Sequence, residues 1–380
     1  MQRDVLRYLR YRLYSRSQLE RLRQRGVGDP AIVALGDFVA RADDRELYQA
    51  NPRHWAERLG LDERTTLTLI VAGAAEGLFD LHWQTTCPVC RYYGRTAQTL
   101  GGVAGLHHCE QCDHDYEANL DEEISVTVSV RETLRRLSPD RRDDSVFRVL
   151  VDTRHGQVQA IRLINIPAFR ELVSHQLLPE GQSLGVKRLV IFFSDLRCST
   201  AFYQKFGDAA AYRIVSQHFL AVFETIGRYG GTLVKTMGDG IMGVFTEPDD
   251  ALCGIAEAVH SLERVNTEAG LNGDDRLMMK VGLHVGSCIV VTLNDRLDYF
   301  GQTVNIAARL SALGQGNDVV LSHAILAGPA ACALTESLGH VLPLTAQLLG
   351  LPKEFELHRL VCPNPSAETE STQAAERILT

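Results

Sequence analysis

The sequence predicts an α+β protein whose C-terminal half is a split β-α-β sandwich. Three observations lead to this fold class. Strand and helix patterns alternate over residues 187–362, two Cys-x-x-Cys pairs lie upstream, and two short helices joined by a tight turn precede those pairs. We therefore expect a helical unit over 1–86, a four-cysteine unit over 87–120, a β-rich module and linker over 121–186, the sandwich over 187–362, and a disordered tail over 363–380.

The composition excludes several classes of protein. The chain has 380 residues, 45% of them hydrophobic and 23% charged, and its formal net charge of −8 argues against a protein that coats nucleic acid. No apolar run reaches the length of about 18 residues that a membrane span needs, and no secretory signal opens the chain. Four of the nine cysteines form the two pairs, which indicates a reducing, cytoplasmic compartment with one metal site.

The basic N-terminal segment is predicted to be an amphipathic helix. Residues 1–25 carry eight Arg against Asp4 and Glu20, and Leu6, Leu9 and Leu13 fall at helical spacing. Such a helix either binds a membrane surface or an anionic ligand, or packs on a neighbouring element or a second subunit. The short apolar stripe favours packing.

A helix, a turn and a second helix follow over 51–83. Pro52 suits a first helical turn, Asp62 suits the cap of the second helix, and Gly77 suits its end. This outline is typical of a helix-turn-helix or winged-helix unit. The polar face of the second helix carries Asp62, Glu63, Arg64 and Glu76, so DNA binding is the less favoured function, and packing or regulation the more favoured one.

Four cysteines predict a structural zinc site, one ion per chain. Cys87 and Cys90 form one Cys-x-x-Cys pair, and Cys109 and Cys112 form the other, eighteen residues further on. Four thiolates complete a tetrahedral zinc shell and leave no open position for catalysis. The alternative is a set of free thiols. His107, His108 and His114 lie close enough in sequence to replace a ligand.

Over 121–186 the pattern favours strands. Ile124–Val130 alternates with polar residues as a half-buried strand does, and Val146–Asp152 and Val158–Ile164 are predicted as two further strands. A helix is expected over Ile166–Leu177.

The order of elements from 187 onward predicts a ferredoxin-like sandwich. The expected strands are Leu189–Ser194, Thr232–Thr236, Ile241–Phe245, Met278–His284, Ser287–Leu293, Val319–Leu321, Leu344–Gln347 and Phe355–Leu360, and the expected helices are Ala209–Arg228, Asp250–Asn266 and one that begins near Thr303.

Two aspartates in this half are candidate metal ligands. Asp195 ends a buried strand, and Asp239 lies at the tip of a hairpin between two glycines. If the two strands pair, the carboxylates converge, and they repel unless a divalent cation lies between them. Carboxylate oxygens suit Mg²⁺ or Mn²⁺. The loop that follows Asp195 offers backbone N–H groups for phosphate, and its residues are Leu196, Arg197, Cys198, Ser199 and Thr200.

A second cluster lies on a later helix. Asn305 and Arg309 are four residues apart and therefore share one helix face. An amide and a guanidinium on one face suit a hydroxyl and a phosphate oxygen, although an ordinary polar surface has the same pattern.

These motifs together resemble the class III nucleotidyl cyclase catalytic domain over Leu189 to about Arg359. The pieces that carry the resemblance occur in order and are Phe193-Ser194-Asp195, Lys235 to Met242, Val281 to Gly286, and Asp298 to Arg309. The N-terminal zinc-knuckle region similarly resembles an uncharacterised module that is sometimes fused to bacterial cyclases.

The resemblance implies a role for each residue. Asp195 and Asp239 correspond to the two ligands of a Mg²⁺ or Mn²⁺ pair, Lys235 and Asp298 to the purine-selecting pair, and Asn305 and Arg309 to the transition-state pair. A lysine donor and an aspartate acceptor complement N1 and the 6-amino group of adenine. The implied function is an adenylate cyclase that converts ATP to 3′,5′-cyclic AMP and pyrophosphate.

The resemblance also implies a homodimer joined through the catalytic domains, because the family divides each site between two of them. An unknown ligand or protein would act on the N-terminal half. Two other functions stay open: a cyclase with guanylate or pyrimidine preference, and a non-catalytic, nucleotide-sensing regulator that binds DNA or a partner. The segment Leu348–Lys353 departs from the family pattern, because it has leucines where the family often has a basic residue that contacts the terminal phosphates.

Overall fold

The computed structural model describes residues 19–173 and 176–362, and their contacts define two compact units. The first unit contains the described residues up to Lys187 together with Ile289–Tyr299. The second contains Arg188–Cys288 and the described residues from Phe300 onward. Most of the predicted basic helix over 1–25 and the predicted tail over 363–380 lie outside the described residues; residues 19–24 are helical.

Helices, short strands and one longer strand pair build the N-terminal part of the first unit. In chain order, its elements are α1 Asp29–Arg41, α2 Pro52–Leu59, α3 Glu63–Ala75, β1 Phe79–Thr86, β2 Tyr93–Ala97, β3 Leu106–Cys109, β4 His114–Glu117, β5 Ile124–Val130, α4 Pro139–Arg142, α5 Ser145–His155, α6 Ala160–Ile164 and α7 Pro167–Leu172.

The predicted helix, turn and helix are present as α2 and α3. Asn51 caps α2 by accepting a hydrogen bond from the Arg53 N–H, and Asp62 caps α3 by accepting one from the Thr65 N–H. The second helix is packed on nearly all sides, since Thr65 alone among its residues is exposed. A DNA-recognition helix needs an exposed face that enters the major groove, and α3 offers none.

A three-stranded antiparallel sheet in the order β2-β1-β5 forms the core of this unit. Its longest register joins Phe79 to Val130 and Thr85 to Ile124. The prediction of a half-buried β5 is wrong, because all seven of its residues are buried. Ser129 shows how the polar side chains are accommodated, since its hydroxyl bonds His82 at 2.8 Å.

The prediction of a β-rich module over 121–186 is also wrong. Beyond β5, the two expected strands are the helices α5 and α6, and the expected helix over Ile166–Leu177 is the shorter α7. Asp144 starts α5 by accepting a hydrogen bond from the Phe147 N–H, and the Phe147 ring then packs 4.6 Å from the Arg45 guanidinium. Capping and packing thus override the strand preference of the valines.

The second half contains the expected sandwich. Its elements are β6 Leu184–Leu196, α8 Ser199–Phe206, α9 Asp208–Arg228, β7 Thr232–Met237, β8 Gly240–Phe245, α10 Pro248–Glu268, β9 Met279–Leu293, β10 Arg296–Phe300, α11 Gln302–Ala312, β11 Asp318–Ser322, α12 Pro329–Leu338, β12 His340–Gln347 and β13 Glu354–Val361.

Among the described residues, the eight strands from β6 to β13 form one mixed sheet. The order is β12-β13-β11-β9-β6-β8-β7, and β10 pairs with β9. The β11–β9 pair is parallel, with Val319 opposite Val281, whereas β6 and β8 are antiparallel. Two elements were not predicted (β10 and α12), and the two strands expected over Met278–Leu293 are the single strand β9.

Helices α9 and α10 cover the sheet and close its core with apolar residues from both layers. Glycine decides how closely α11 can approach. A Cβ on Gly282 in β9 would collide with the backbone of Ala307 and Ser311, so the helix can lie against this strand only where the side chain is absent. This contact fixes the position of the helix that carries Asn305 and Arg309.

None of the helices in the described ranges is both long enough and apolar enough to span a membrane.

Candidate active site

The two predicted metal-binding aspartates lie at the same end of neighbouring strands. Ser194 of β6 is opposite Ile241 of β8, so Asp195 and Asp239 each lie just beyond the last paired residues. A Cβ on Gly240 would come within 2.7 Å of the Ser194 carbonyl oxygen, which explains why the residue after Asp239 is a glycine. The hairpin therefore packs directly against the end of β6 and brings the second carboxylate to it.

The environment of Asp239 suits a cation ligand. Its Oδ2 atom is buried, and no hydrogen-bond donor within the described part of the chain reaches it. An unsatisfied buried carboxylate oxygen is unfavourable unless a cation or donor arrives with the bound ligand. The side chain fits a divalent cation on this ground.

Asp195 is held differently. The Nζ atom of Lys280, in β9, lies 2.8 Å from its Oδ2 atom. Because Lys280 is only 18% exposed and Asp195 is 44% exposed, the pair lies at the rim of the sheet and is partly screened by solvent. Sequence reasoning missed Lys280, although its rarity as one of five lysines was a usable signal.

The predicted phosphate loop and Asp239 line one cavity. Its volume is about 670 Å³, and Ser199 and Thr200 are the two loop residues that line it. The full lining is Ser199, Thr200, Tyr203, Gln204, Asp208 and Asp239. Burial, and then the Asp239 charge, raise the pKa of the Tyr203 phenol, which keeps it a neutral donor. Tyr203, Gln204 and Asp208 are further lining residues that the sequence analysis did not single out.

The phosphate loop contains a strained residue. Cys198, which immediately precedes α8, has φ 56° and ψ 29°, a left-handed conformation that favours glycine. The Arg197 N–H donates to the Met278 carbonyl at 2.8 Å and anchors the loop to the segment before β9. The loop therefore keeps its shape through a backbone contact, and Ser199 and Thr200 begin α8 at the cavity.

The two proposed purine-selecting residues lie in different contact units, and each is described separately. Lys235 is half-buried in β7, where it is in register with Met242 of β8. Asp298 is 6% exposed in β10, and its Oδ1 atom accepts a hydrogen bond from the Tyr299 N–H at 2.8 Å. That bond fixes one carboxylate oxygen of Asp298.

Asn305 and Arg309 lie one helical turn apart on α11, as the spacing predicts. Asn305 is exposed, and Arg309 is half-buried with its guanidinium beside the turn at Gly350. Within the described residues of one chain, neither side chain forms a hydrogen bond or an ion pair with Asp195 or Asp239. Within the described residues, Asp239 and the first residues of α8 thus line one cavity, whereas Asn305 and Arg309 are not among its lining residues.

The four cysteines predicted to bind zinc come together in the first unit. Cys87 Sγ lies 3.6 Å from Cys112 Sγ, and Cys90 Sγ lies 3.5 Å from Cys109 Sγ. Thiolates about 2.3 Å from a tetrahedral zinc lie roughly 3.8 Å apart, so the spacing fits this metal. Burial raises the pKa of the Cys87 thiol, but hydrogen bonds from the Cys90 and Val89 N–H groups stabilise the thiolate and lower the pKa to about 6.

The nearby histidines have other partners. His107 Nε2 lies 2.9 Å from the Val103 carbonyl oxygen, and His108 Nδ1 lies 2.8 Å from an Asp115 oxygen. The group of possible ligands consists of Cys87, Cys90, Cys109 and Cys112. The donor set is therefore the one expected from sequence.

Comparisons with known proteins divide the chain at similar positions. Residues 183–330 match the family described as "Adenylate and Guanylate cyclase catalytic domain". Residues 14–148 match a family of unknown function, DUF5939. The chain thus carries a cyclase catalytic domain behind a region whose family has no assigned function.

Curated relatives are similar over the catalytic region. An adenylate cyclase of Anabaena cylindrica is 25% identical over 159 residues, which cover 39% of this chain and 32% of that protein. Adenylate cyclase 2 of Rhizobium meliloti is 29% identical over 134 residues, which cover 33% of this chain and 36% of that protein. The chain thus spans about a third of the length of these relatives.

Solved structures are similar over the same half. The adenylyl cyclase CyaB from P. aeruginosa is 20% identical with a TM-score of 0.41, and the match covers 48% of this chain and 97% of that one. The guanylyl cyclase Cya2 is 24% identical with a TM-score of 0.40, and the match covers 47% of this chain and 94% of that one.

Proposed function

We propose that the chain is an adenylate cyclase that acts as a homodimer and converts ATP to 3′,5′-cyclic AMP and pyrophosphate. One observation carries the proposal. The Asp239 carboxylate, with a buried oxygen that lacks a donor in the described structure, lines the same cavity as Ser199 and Thr200 of the phosphate loop. Cation ligands beside a phosphate-binding loop are what a reaction on a metal–triphosphate complex requires.

Asp195 and Asp239 would hold Mg²⁺ or Mn²⁺, which when bound lowers the pKa of the ribose 3′-hydroxyl and offsets the triphosphate charge. The backbone N–H groups at the start of α8, with the Ser199 and Thr200 hydroxyls, would bind the phosphates. The 3′-oxygen forms a bond to the α-phosphorus, the bond to the bridging oxygen of pyrophosphate breaks, and the hydroxyl proton passes to solvent.

Lys235 and Asp298 would select adenine, the first as a donor to N1 and the second as an acceptor from the 6-amino group. Asn305 would hold the ribose in position for attack, and Arg309 would stabilise the charge that develops on the α-phosphoryl group. The resemblance to class III cyclases, which divide each site between two catalytic domains, supports a site completed by a second chain.

The test is turnover with each of the four ribonucleoside triphosphates, with Mg²⁺ or Mn²⁺, and identification of the products by mass. The proposal expects cyclic AMP from ATP and loss of product with Arg309→Ala. Cyclic GMP or a cyclic pyrimidine nucleotide as the main product would show another base preference. Linear products alone, or no turnover, would contradict a cyclase and favour a nucleotide-sensing regulator. A cytoplasmic location stays a prediction from the cysteine pattern.

A further inference from the structure

The strand that carries Asp298 has close contacts with the N-terminal residues. The end of β9 and most of β10, Ile289–Tyr299, belong to the same compact unit as the residues up to Lys187. The two residues that flank Asp298 in the sequence are the points of contact. Each is bound by a side chain from the short stretch that connects α6 to α7 and begins α7.

The first contact is made by Tyr299. Its side chain is 2% exposed, and its hydroxyl donates a hydrogen bond of 2.5 Å to Oδ1 of Asn165, which is 5% exposed. Both partners are removed from solvent, so water cannot replace either one if the bond is lost. The position of the Tyr299 ring, and of the strand that bears it, is therefore tied to Asn165.

The second contact is made by Arg170 in α7. Its guanidinium donates to the Leu297 carbonyl oxygen, and it lies over the Tyr299 ring, 5.7 Å from the ring centroid. Leu297 and Tyr299 are the neighbours of Asp298 on either side. The Tyr299 N–H in turn donates to the Asp298 carboxylate. The residue that Asn165 and Arg170 contact therefore also holds the Asp298 side chain.

The stretch that holds the strand is itself fixed in the N-terminal core. The Phe169 ring packs edge-on against Trp83 of β1, with ring centroids 6.0 Å apart. The Trp83 indole N–H donates to Gln176 Oε1 at 2.7 Å. Strand β1 ends at Thr86, one residue before the first zinc-binding cysteine. A continuous set of packed groups thus connects the base of the four-cysteine site to the neighbours of Asp298.

We propose that Tyr299, held by Asn165 and Arg170, is a positioning residue through which the N-terminal region sets Asp298 and thereby the base preference and ATP affinity of the cyclase. This inference rests on the proposed function. The N-terminal region would then affect substrate selection directly, because the residues that it contacts, Leu297 and Tyr299, flank the acceptor for the adenine amino group. A shift of the α6–α7 stretch would displace that acceptor.

The test compares Tyr299→Phe and Asn165→Ala with a matched control, Tyr93→Phe. The control also removes a phenol hydroxyl from the first unit, but this hydroxyl donates to Asp152 of α5, at 2.8 Å, and not to the stretch that holds β10. Full-length proteins are assayed for kcat and KM with ATP and with GTP, and for melting temperature and zinc content.

We expect both test variants to lower the ratio of kcat/KM for ATP to that for GTP by about tenfold, chiefly through a higher KM for ATP, while the control keeps the wild-type ratio. Unchanged ratios in folded test variants, or an equal change in the control, would overturn the inference. If Tyr299→Phe fails to fold, Asn165→Ala alone decides it. A wild-type protein without turnover would contradict the proposed function itself. An active wild-type protein with unchanged ratios in the variants would contradict only this inference.

Discussion

Lys280 Nζ lies 2.8 Å from Asp195 Oδ2, so an ammonium group is paired with one of the two candidate metal-binding aspartates. The lysine comes from β9, the strand next to β6 in the sheet. Its charge would therefore compete with a metal for Asp195, while Asp239 Oδ2 has no hydrogen-bond donor in the described residues. The two aspartates are thus unequal before a metal binds.

Replacement of Lys280 by Met should increase the apparent affinity for Mg²⁺ severalfold, because the cation no longer displaces an ammonium group. The measurement is activity against Mg²⁺ concentration, with Mn²⁺ binding followed separately. Lys205→Met is the control, since Lys205 forms an exposed ion pair with Asp275. A metal titration curve that is unchanged, or displaced to higher concentration, would refute competition by Lys280.

Asp239→Asn should separate activity from stability. The substitution removes a buried charge whose oxygen lacks a donor, so the free energy of unfolding should stay the same or rise by up to about 1 kcal/mol. Activity should fall at least about a hundredfold, because a cation ligand is lost. Thermal melts and product formation measure the two effects, and Asp275→Asn is a carboxylate control. A clearly lower melting temperature would show that the side chain is structural.

Mixing two inactive variants should restore activity if each site is shared by two chains. Asp239→Asn would lack a proposed metal ligand, and Arg309→Ala would lack the proposed transition-state cation. A mixed dimer has one site with both residues intact, so random exchange should recover about a quarter of the wild-type rate. The readout is activity after co-refolding or co-expression. Absence of any recovery, with mixed dimers present by mass, would argue for complete sites within single chains.

Zinc should be present at about one ion per chain and be lost on replacement of Cys87 and Cys112 by Ser. The four thiols supply the shell, so chelation should also lower the melting temperature of the first unit. Elemental analysis and thermal melts are the measurements. Cys332→Ser is the control, because Cys332 is exposed and outside the group. Full zinc content in the double variant would exclude this site.

Stability should fall in acid because of His218. Burial lowers the pKa of this side chain to about 4, and neither ring nitrogen has a partner in the described structure. From pH 6.5 down to about 4 the unfolded chain therefore binds a proton that the folded chain does not, so stability is lost as the pH falls through this window.

His218→Leu should remove that part of the pH dependence and gain about 2–3 kcal/mol relative to wild type near pH 4, with a smaller effect at neutral pH. Denaturant unfolding at several pH values measures it. Acid sensitivity should remain from His284, since burial lowers its pKa to about 4 as well. A variant with the wild-type slope would show that His218 is not the group that titrates.

Many helix caps, turns and candidate ligands of this protein could be predicted from short stretches of sequence. Pro52, Asp62 and the Gly-Asp-Gly turn predict their elements because caps and turns depend on a few neighbouring residues. The sequence proposes the four cysteines and the two aspartates as ligands in the same way, since ligand type and spacing are local properties, and the structure brings the four thiols together.

Tertiary structure decided what depends on distant partners. The valines of α5 favour a strand, but Asp144 and the packing of Phe147 make the segment a helix. Lys280 is 85 residues from Asp195, and Tyr299 is 134 residues from Asn165. No local pattern encodes such pairs, because they form only when the whole chain has buried its apolar residues and brought these polar groups to the same place.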